Sequence, residues 1–468
     1  MLPLLPLLPA AAAAATALSL DQVLVRGLSQ SPELGLDDRR TMRDQAVLRG
    51  LSASRLPQLS LVGTTSFTQV GTSFGFLTNL PTLGDLSLQL NQNGYAVLQN
   101  SFATVGLVLD VNLLPLRQGA ELAEGRSRLA ATRASRRESE RQVRFELIRT
   151  YRTLQLHQAL VPVWEQSLQA SSALVRDVEA MQRRGLAPRI DLLRARMLQA
   201  ADTQGLSQAR AQLADSRQQL AALLDLPLHE APWAADPIAP QAAWPLSLEQ
   251  TLERALTGRP LLEALQEQQR AQRQQGRAAR LTRLPSLSLL VGGGLSADRL
   301  SAPVLAQSGS VEAGSASRSL PALEQQASLS GSFYNWGAAL LLRQSLYDGG
   351  RAAAASSLAD RERQVLEAEE RLARRRIREL VTAAWSSLQE TPAAIEAASS
   401  AVQAGERALR DARLRYRAQV EPLTEVLLVQ RDQQVAQATL LAALTRQAVD
   451  RAALEREVGP PPEGAPLR

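Results

Sequence analysis

Two periods alternate along the chain. Leu107, Leu109, Val111 and Leu113 take every second position with Asp110 and Asn112 between them, the two-residue period of a strand with unlike faces. Ala338, Leu340, Leu342 and Leu346 repeat the pattern opposite Arg343 and Ser345, and Leu59-Ser60-Leu61 and Leu287-Ser288-Leu289 start two more such stretches just after Pro57 and Pro285. Elsewhere the period lengthens. Leu206, Leu213 and Leu220, and again Leu358, Val365 and Leu372, recur at heptad spacing among Ala, Gln, Arg and Glu, as in a coiled-coil seam. From Gly119 to Arg184 the one proline is Pro162, which is expected to kink the helix. An unbroken helix there would be roughly 100 Å long at ~1.5 Å per residue, where a globular helix averages ~12 residues. Two shorter helices, about Leu34 to Leu56 and Pro188 to Leu224, would match it in length if stacked end to end.

A single strand with one apolar and one polar face reads first as a half-buried strand of a soluble sandwich, and it also fits the wall of a membrane barrel with a wet interior. Only about four such strands are present, whereas a membrane barrel closes with at least ~8. Open edges cannot face lipid, so membrane-spanning strands would have to be pooled by several chains. Residues 71–100 and 296–332 are rich in Gly, Ser, Asn and Gln without clear period and read as surface loops between strands. Phe333, Tyr334 and Trp336 fit either an interfacial aromatic girdle or a small hydrophobic cluster.

The chain repeats itself once. SLDQVLVRGLSQSPEL from Ser19 returns as SLEQTLERALTGRPLL from Ser247, shifted by 228 positions and identical at half of them. Arg55 to Leu61 returns as Arg283 to Leu289, Gly119 as Gly350, Val143 to Gln155 as Ile377 to Gln389, and Pro188 to Leu193 as Pro422 to Leu427. A period this long is a duplicated half, not a solenoid. Ser19 and Ser247, each followed by Gln three positions on, are capping boxes. Each half therefore reads helix, two strands, two long helices. The boundaries are 18–228 for the first repeat, 229–246 for a proline- and alanine-rich linker, 247–459 for the second repeat and 460–468 for a tail. Residues 1–17, an apolar run ending Ala15-Thr16-Ala17, have the shape of a signal peptide. They lack its usual Lys or Arg, which leaves a low-complexity tail as the alternative.

Composition removes several chemistries. The 468 residues include no Cys, and all 52 basic residues are arginine. There is then no disulfide framework, thiolate zinc site or thiol nucleophile, and no phosphate-loop lysine or Schiff base. A net charge of +6 with 3% aromatics does not suggest nucleic acid. Gly71-Thr72-Ser73-Phe74-Gly75 matches a nucleophile elbow in letters only, since the elbow needs a strand-to-helix turn with a histidine and an acid close by. The two histidines, His157 and His229, are too far apart in sequence and setting to suggest a metal site. No catalytic residue, cofactor site or metal site is expected, and no enzyme.

Both halves resemble the outer membrane efflux proteins of the TolC-like channel-tunnel family. The resemblance rests on the paired helix starts with Pro32 and Pro260, the Leu-Pro-x-Leu turns into the strands, and the strand exit Leu346-Tyr347-Asp348-Gly349-Gly350. It rests also on the segment Tyr416 to Leu427 followed by Gln430-Arg431-Asp432. It covers Leu18 to Gly459. It implies a mainly α chain with a membrane β-barrel portion. Three copies would form a periplasmic α-barrel and give four strands each to one shared 12-stranded barrel in outer membrane lipid. It implies an adaptor protein and an inner membrane transporter as partners, and passive conduction in efflux or type I secretion. Gly119, Asp348, Gly349 and Gly350 would form strand-to-helix turns. The helix turns around Asp191 and Glu425 would lie at the periplasmic tip, where Glu425 falls at a family constriction and Tyr416 at a gating contact whose usual basic partner is here Glu421. The alternative for Glu425 is an ordinary solvated carboxylate at a helix start. The competing function is a periplasmic coiled-coil adaptor of a tripartite pump, a class built around a single hairpin without the duplicated strands.

Overall fold

A computed structural model describes residues 16–83, 86–227, 232–313 and 316–460. Most of the expected signal segment, the start of the linker with His229, and tail residues 461–468 lie outside these. The elements run β1 (Thr16–Leu18), α1 (Leu20–Gln30), α2 (Pro32–Ala53), β2 (Gln58–Leu83), β3 (Leu86–Asn112), α3 (Leu116–Arg183) and α4 (Arg189–Leu223). After β4 (Pro232–Ala234) the order recurs as α5 (Leu248–Gly258), α6 (Pro260–Leu281), β5 (Ser286–Ala313), β6 (Ala316–Arg343), α7 (Arg351–Arg417) and α8 (Leu423–Val458). The duplication is thus structural, and the chain is mainly α with a sheet portion. Pro162 does not end α3, which runs for 68 residues, and α7 likewise carries Pro392 within its 67.

Two compact units divide the chain. One is helical and comprises residues up to 46, 125–273 and 361 onward; the other, 47–124 and 274–360, contains the large sheet.

In the helical unit the two halves bury matching positions. Ser19 and Ser247 both close capping boxes. Leu147, Leu154 and Leu220 are buried around α1, and their counterparts Val381, Leu388 and Leu454 are buried around α5. The volumes compensate. A Cβ on Gly27 would come within 2.5 Å of Leu147, so the large leucine requires glycine opposite it. In the second half the smaller Val381 faces the same position filled by Ala255, which belongs to the same cluster. The Tyr151 hydroxyl donates to the Leu18 carbonyl at 3.0 Å, and the Trp385 indole N–H donates to the equivalent carbonyl, Leu246, at 3.2 Å. Each aromatic ties the lead-in of its own half to the long helix. Asp236 adds to the first tie, accepting from Tyr151 at 2.9 Å and from the Leu20 amide at 2.8 Å. Burial, opposed by the Asp236 backbone amide and reinforced by the Asp236 carboxylate, pushes the Tyr151 hydroxyl up to about 12.

In the sheet unit, four strands pair antiparallel in the order β2-β3-β5-β6, leaving β2 and β6 as edges among the described residues. The strands are 26 to 28 residues long. This corrects the expected loops: 71–83 with 86–100, and 296–313 with 316–332, are continuous strand. Here both faces carry Gly, Ser, Asn and Gln, so the two-residue period that marks a strand is erased.

Candidate functional site

Antiparallel register sorts the sheet into two faces. Leu59, Leu109, Val291 and Ala338 form one row, Leu61, Leu107, Gly293 and Trp336 the next, then Gly63, Val105, Leu295 and Tyr334. Rows above and below extend this apolar face from Leu287 and Leu342 to Ala297 and Ser332. Ten steps along β5 are about 33 Å at ~3.3 Å per residue. At the ~40° tilt of barrel strands that gives a band about 25 Å tall, the height of an outer membrane hydrocarbon belt. Its side chains are open to the surroundings, Leu61 at 72% and Trp336 at 82%.

The opposite face mixes small and polar residues such as Ser60, Thr104, Ser296 and Asn335 with Val62, Val108, Leu290 and Phe333. Asn335 donates to Ser296 at 3.0 Å, and Ser296 to Thr104 at 3.1 Å. A Cβ on Gly294 would meet the Val105 carbonyl at 2.3 Å, so glycine permits the close approach of β3 and β5. The expected aromatic trio is split by this alternation. Tyr334 and Trp336 lie on the apolar face, with Trp336 in a middle row instead of at the rim, while Phe333 shares the row of Ser296 and Thr104 on the polar face. The exposed aromatic beyond the end of β6 is Tyr347, 88% accessible.

The exit from β6 is built on Asp348. Its carboxylate accepts from the Gly350 amide at 3.0 Å and the Ala352 amide at 2.9 Å, and pairs with Arg283 at 3.1 Å. Gly349 and Gly350 have φ of 65° and 85°, a region that favours glycine. The Arg283 hydrogen bond, then the helix amides, hold the Asp348 carboxyl down at about 2. Gly119 is different: it lies within the first turn of α3, its amide bonded to the Pro115 carbonyl at 2.9 Å. The turn before it uses Asn112, whose side chain accepts from the Leu114 amide at 3.0 Å.

The two helix turns of the helical unit share one geometry. Leu186 bonds back to Met181 and Gly185 to Gln182, each at 2.9 Å; Val420 bonds to Arg415 and Gln419 to Tyr416, each at 2.9 Å. Both are Schellman turns. Gly185 takes the left-handed position at φ 73°, but Gln419 takes it at 61° with a side chain attached. Pro188 and Pro422 then start α4 and α8. The turns touch: Gln419 donates to the Leu186 carbonyl at 3.4 Å, and Arg417 pairs with Asp177 at 2.8 Å. Tyr416 is buried with Val178, Ala195 and Leu423. Burial, then the charges of Asp191 and Asp177, raise its pKa. Glu421 pairs with Arg415 of its own hairpin at 2.9 Å, so it is engaged away from Tyr416. Glu425 is exposed on the first turn of α8, with no ion pair among the described residues. Gln430 is buried and donates to the Ser167 carbonyl at 3.3 Å.

Sequence reasoning missed Gln419, since a glutamine gives no turn signal, although its alignment with Gly185 could have marked it. It missed also the buried pairing of Arg259 with Glu457, whose partners are far apart in sequence. Among the described residues no group of acidic or histidine side chains is placed to hold a metal, and no helix is long and apolar enough to cross a membrane.

Residues 251–459 match the outer membrane efflux protein family. The match covers most of the second repeat, and the chain as a whole shares the TolC-like fold of the solved channels to which it is similar. Among solved structures it is similar to the outer membrane protein VceC of Vibrio cholerae, 19% identical with a TM-score of 0.70 over 94% of this chain and 96% of that one. It is similar also to the CmeC outer membrane channel of Campylobacter jejuni, at 15% identity, TM-score 0.70 and 94% and 85% coverage. The open state of the Neisseria gonorrhoeae MtrE outer membrane channel gives 18%, 0.69, 94% and 88%. No curated protein matches the chain in sequence.

Proposed function

We propose that three copies of this chain form an outer membrane channel reaching into the periplasm, which passively conducts substrates from an inner membrane transporter and a periplasmic adaptor to the outside. The observation that carries this reading is the open four-stranded sheet with one continuous apolar face. Two bare edges are untenable in lipid, where no water satisfies their amides. Four strands are too few to close a barrel, and three copies give twelve. The heptad on α7 supports the same assembly. Leu358, Val365 and Leu372 are 57%, 57% and 65% exposed on the single chain, whereas Leu206, Leu213 and Leu220 are buried within it. A coiled-coil seam exposed on one protomer has its partner in another.

The paired helix turns form the periplasmic tip. There the unpaired Glu425 carboxylates of three copies, set around one axis, concentrate cations and repel anions. Fractionation followed by gel mobility before and after boiling tests the assembly. An outer membrane trimer is extracted by detergent and is heat-modifiable; recovery as a soluble monomer would instead fit an adaptor. Glu425→Ala is expected to weaken block by multivalent cations in planar bilayers, and unchanged block would remove Glu425 from the constriction.

A further inference from the structure

A cleft of about 430 Å³ opens on the helical unit between α3, the start of α6 and the end of α8. Its floor is apolar, with Phe145, Ile148 and Ala452, while Arg137, Arg141 and Arg144 lie along one wall. At these spacings the three arginines share one face of α3. The charges around the cleft do not balance. Glu263 is taken by Arg137 at 2.7 Å, Glu140 by Arg136 at 2.7 Å, and Glu455 by Arg451 at 3.2 Å. Behind the wall, Glu138 is taken by Arg259 at 2.8 Å, and Glu457 by Arg259 and by Arg456 at 2.6 Å.

Every acid at the cleft thus has its arginine, and two arginines are left over. Arg141 reaches only the Gly258 carbonyl, at 3.3 Å, and its Nη1 is closed off from solvent without a hydrogen-bond partner. Arg144 has no ion pair among the described residues and is exposed at the rim. Burial, opposed by nearby Glu138 and reinforced by the guanidiniums of Arg259 and Arg137, lowers the Arg141 pKa. A buried donor with nothing to donate to is costly, and an anion placed beside it recovers that cost through charge-assisted hydrogen bonds.

We propose that this cleft binds an organic anion, an aromatic carboxylate or sulfonate, with its acid group between Arg141 and Arg144 and its ring against Ile148 and Ala452. The cleft volume lies in the range of small-molecule sites, roughly 300–1,000 Å³, and the pairing of an apolar floor with few polar groups is what such sites share. The guanidinium of Arg144 at the rim and that of Arg141 on the wall select for a charged head, and the floor selects against small inorganic anions. This site goes beyond the channel reading, since it requires neither conduction nor a partner protein.

Calorimetric titration of the detergent-purified full chain with 2-naphthoate tests it, with the neutral 2-naphthamide as comparison. The expected result is binding with a Kd below about 1 mM, at least roughly tenfold weaker for the amide. Arg144→Gln removes an exposed side chain with no ion pair and leaves the fold intact; it is expected to weaken binding about tenfold, as is Arg141→Gln. No binding of 2-naphthoate to the native assembly, equal binding of the amide, or affinity unchanged by Arg144→Gln would each overturn the proposal.

Discussion

Leu107 and Val108 are adjacent in β3 and point to opposite faces of the sheet. Leu107 lies in the row of Leu61, Gly293 and Trp336, midway up the apolar band, while Val108 lies in the row of Ser60, Gly292 and Gly337. If the band faces lipid, an arginine at Leu107 sits at the bilayer midplane, where it costs about 2–4 kcal/mol per protomer. Three symmetry-related copies raise this to about 6–12 kcal/mol for the assembly. Arginine at Val108 enters the wet interior beside a serine and two glycines and costs about 0–1 kcal/mol. Each 1.4 kcal/mol is a factor of ten, so one protomer's difference of about 1–4 kcal/mol alone is roughly a 5- to 700-fold separation in the folding equilibrium. The assay is urea-dependent folding into lipid vesicles, read by tryptophan fluorescence and by the heat-modifiable gel band. Leu107→Arg is expected to lose the band at much lower urea than Val108→Arg. Equal losses, or a larger loss for Val108→Arg, would refute the assignment of the faces.

Gln419→Gly is expected to stabilise the tip by about 1 kcal/mol, because it relieves a side chain held at positive φ, while Gly185→Ala should cost about 1–2 kcal/mol; thermal inactivation midpoints compare the two. Asp348 contributes stability only while ionised. Its folded pKa is depressed to about 2 from the ordinary 3.8. Its contribution is therefore complete above about pH 4 and lost as pH falls through 2, a loss that Asp348→Asn should abolish in acid-unfolding curves. Arg259→Met leaves Glu138 and the 1% exposed Glu457 without their shared cation. It should cost about 3–5 kcal/mol in chemical unfolding, and Arg259→Met combined with Glu457→Gln should recover part of that.

How much was legible depended on whether a position's partner was local. Ser19 with Gln22 and Ser247 with Gln250 announce their capping boxes within four residues, and the matching of Val143 with Ile377 follows from the repeat itself. The apolar band was visible where leucines of one face alternate with polar residues, as from Leu107 to Leu113. It vanished in 71–83 with 86–100 and in 296–313 with 316–332, where apolar residues keep no regular period although these segments are strand. The division of Phe333 from Tyr334 and Trp336 was in principle readable, since neighbours in a strand take opposite faces. Gln419 was hidden because backbone geometry, not residue type, sets the turn. The Arg259–Glu457 pair joins the start of α6 to the end of α8, and Arg141 and Arg144 stand out as unpaired only once every acid near them is seen to be engaged.

A trimeric barrel requires the two bare edges, β2 and β6, to meet between copies around a closed ring of three. The chain has no native cysteine, so introduced pairs report cleanly. Thr65→Cys on β2 combined with a cysteine scanned over β6 at Ser328, Ser330 and Ser332 covers the stagger between strands, and disulfides form only where Cα atoms approach within about 7 Å. Under oxidation in the membrane, one of these double variants should give a covalent ladder that stops at three chains, with neither single variant cross-linking beyond a pair. A ladder that stops at two, one that continues past three, or no cross-link at any of the three positions would contradict the trimeric barrel.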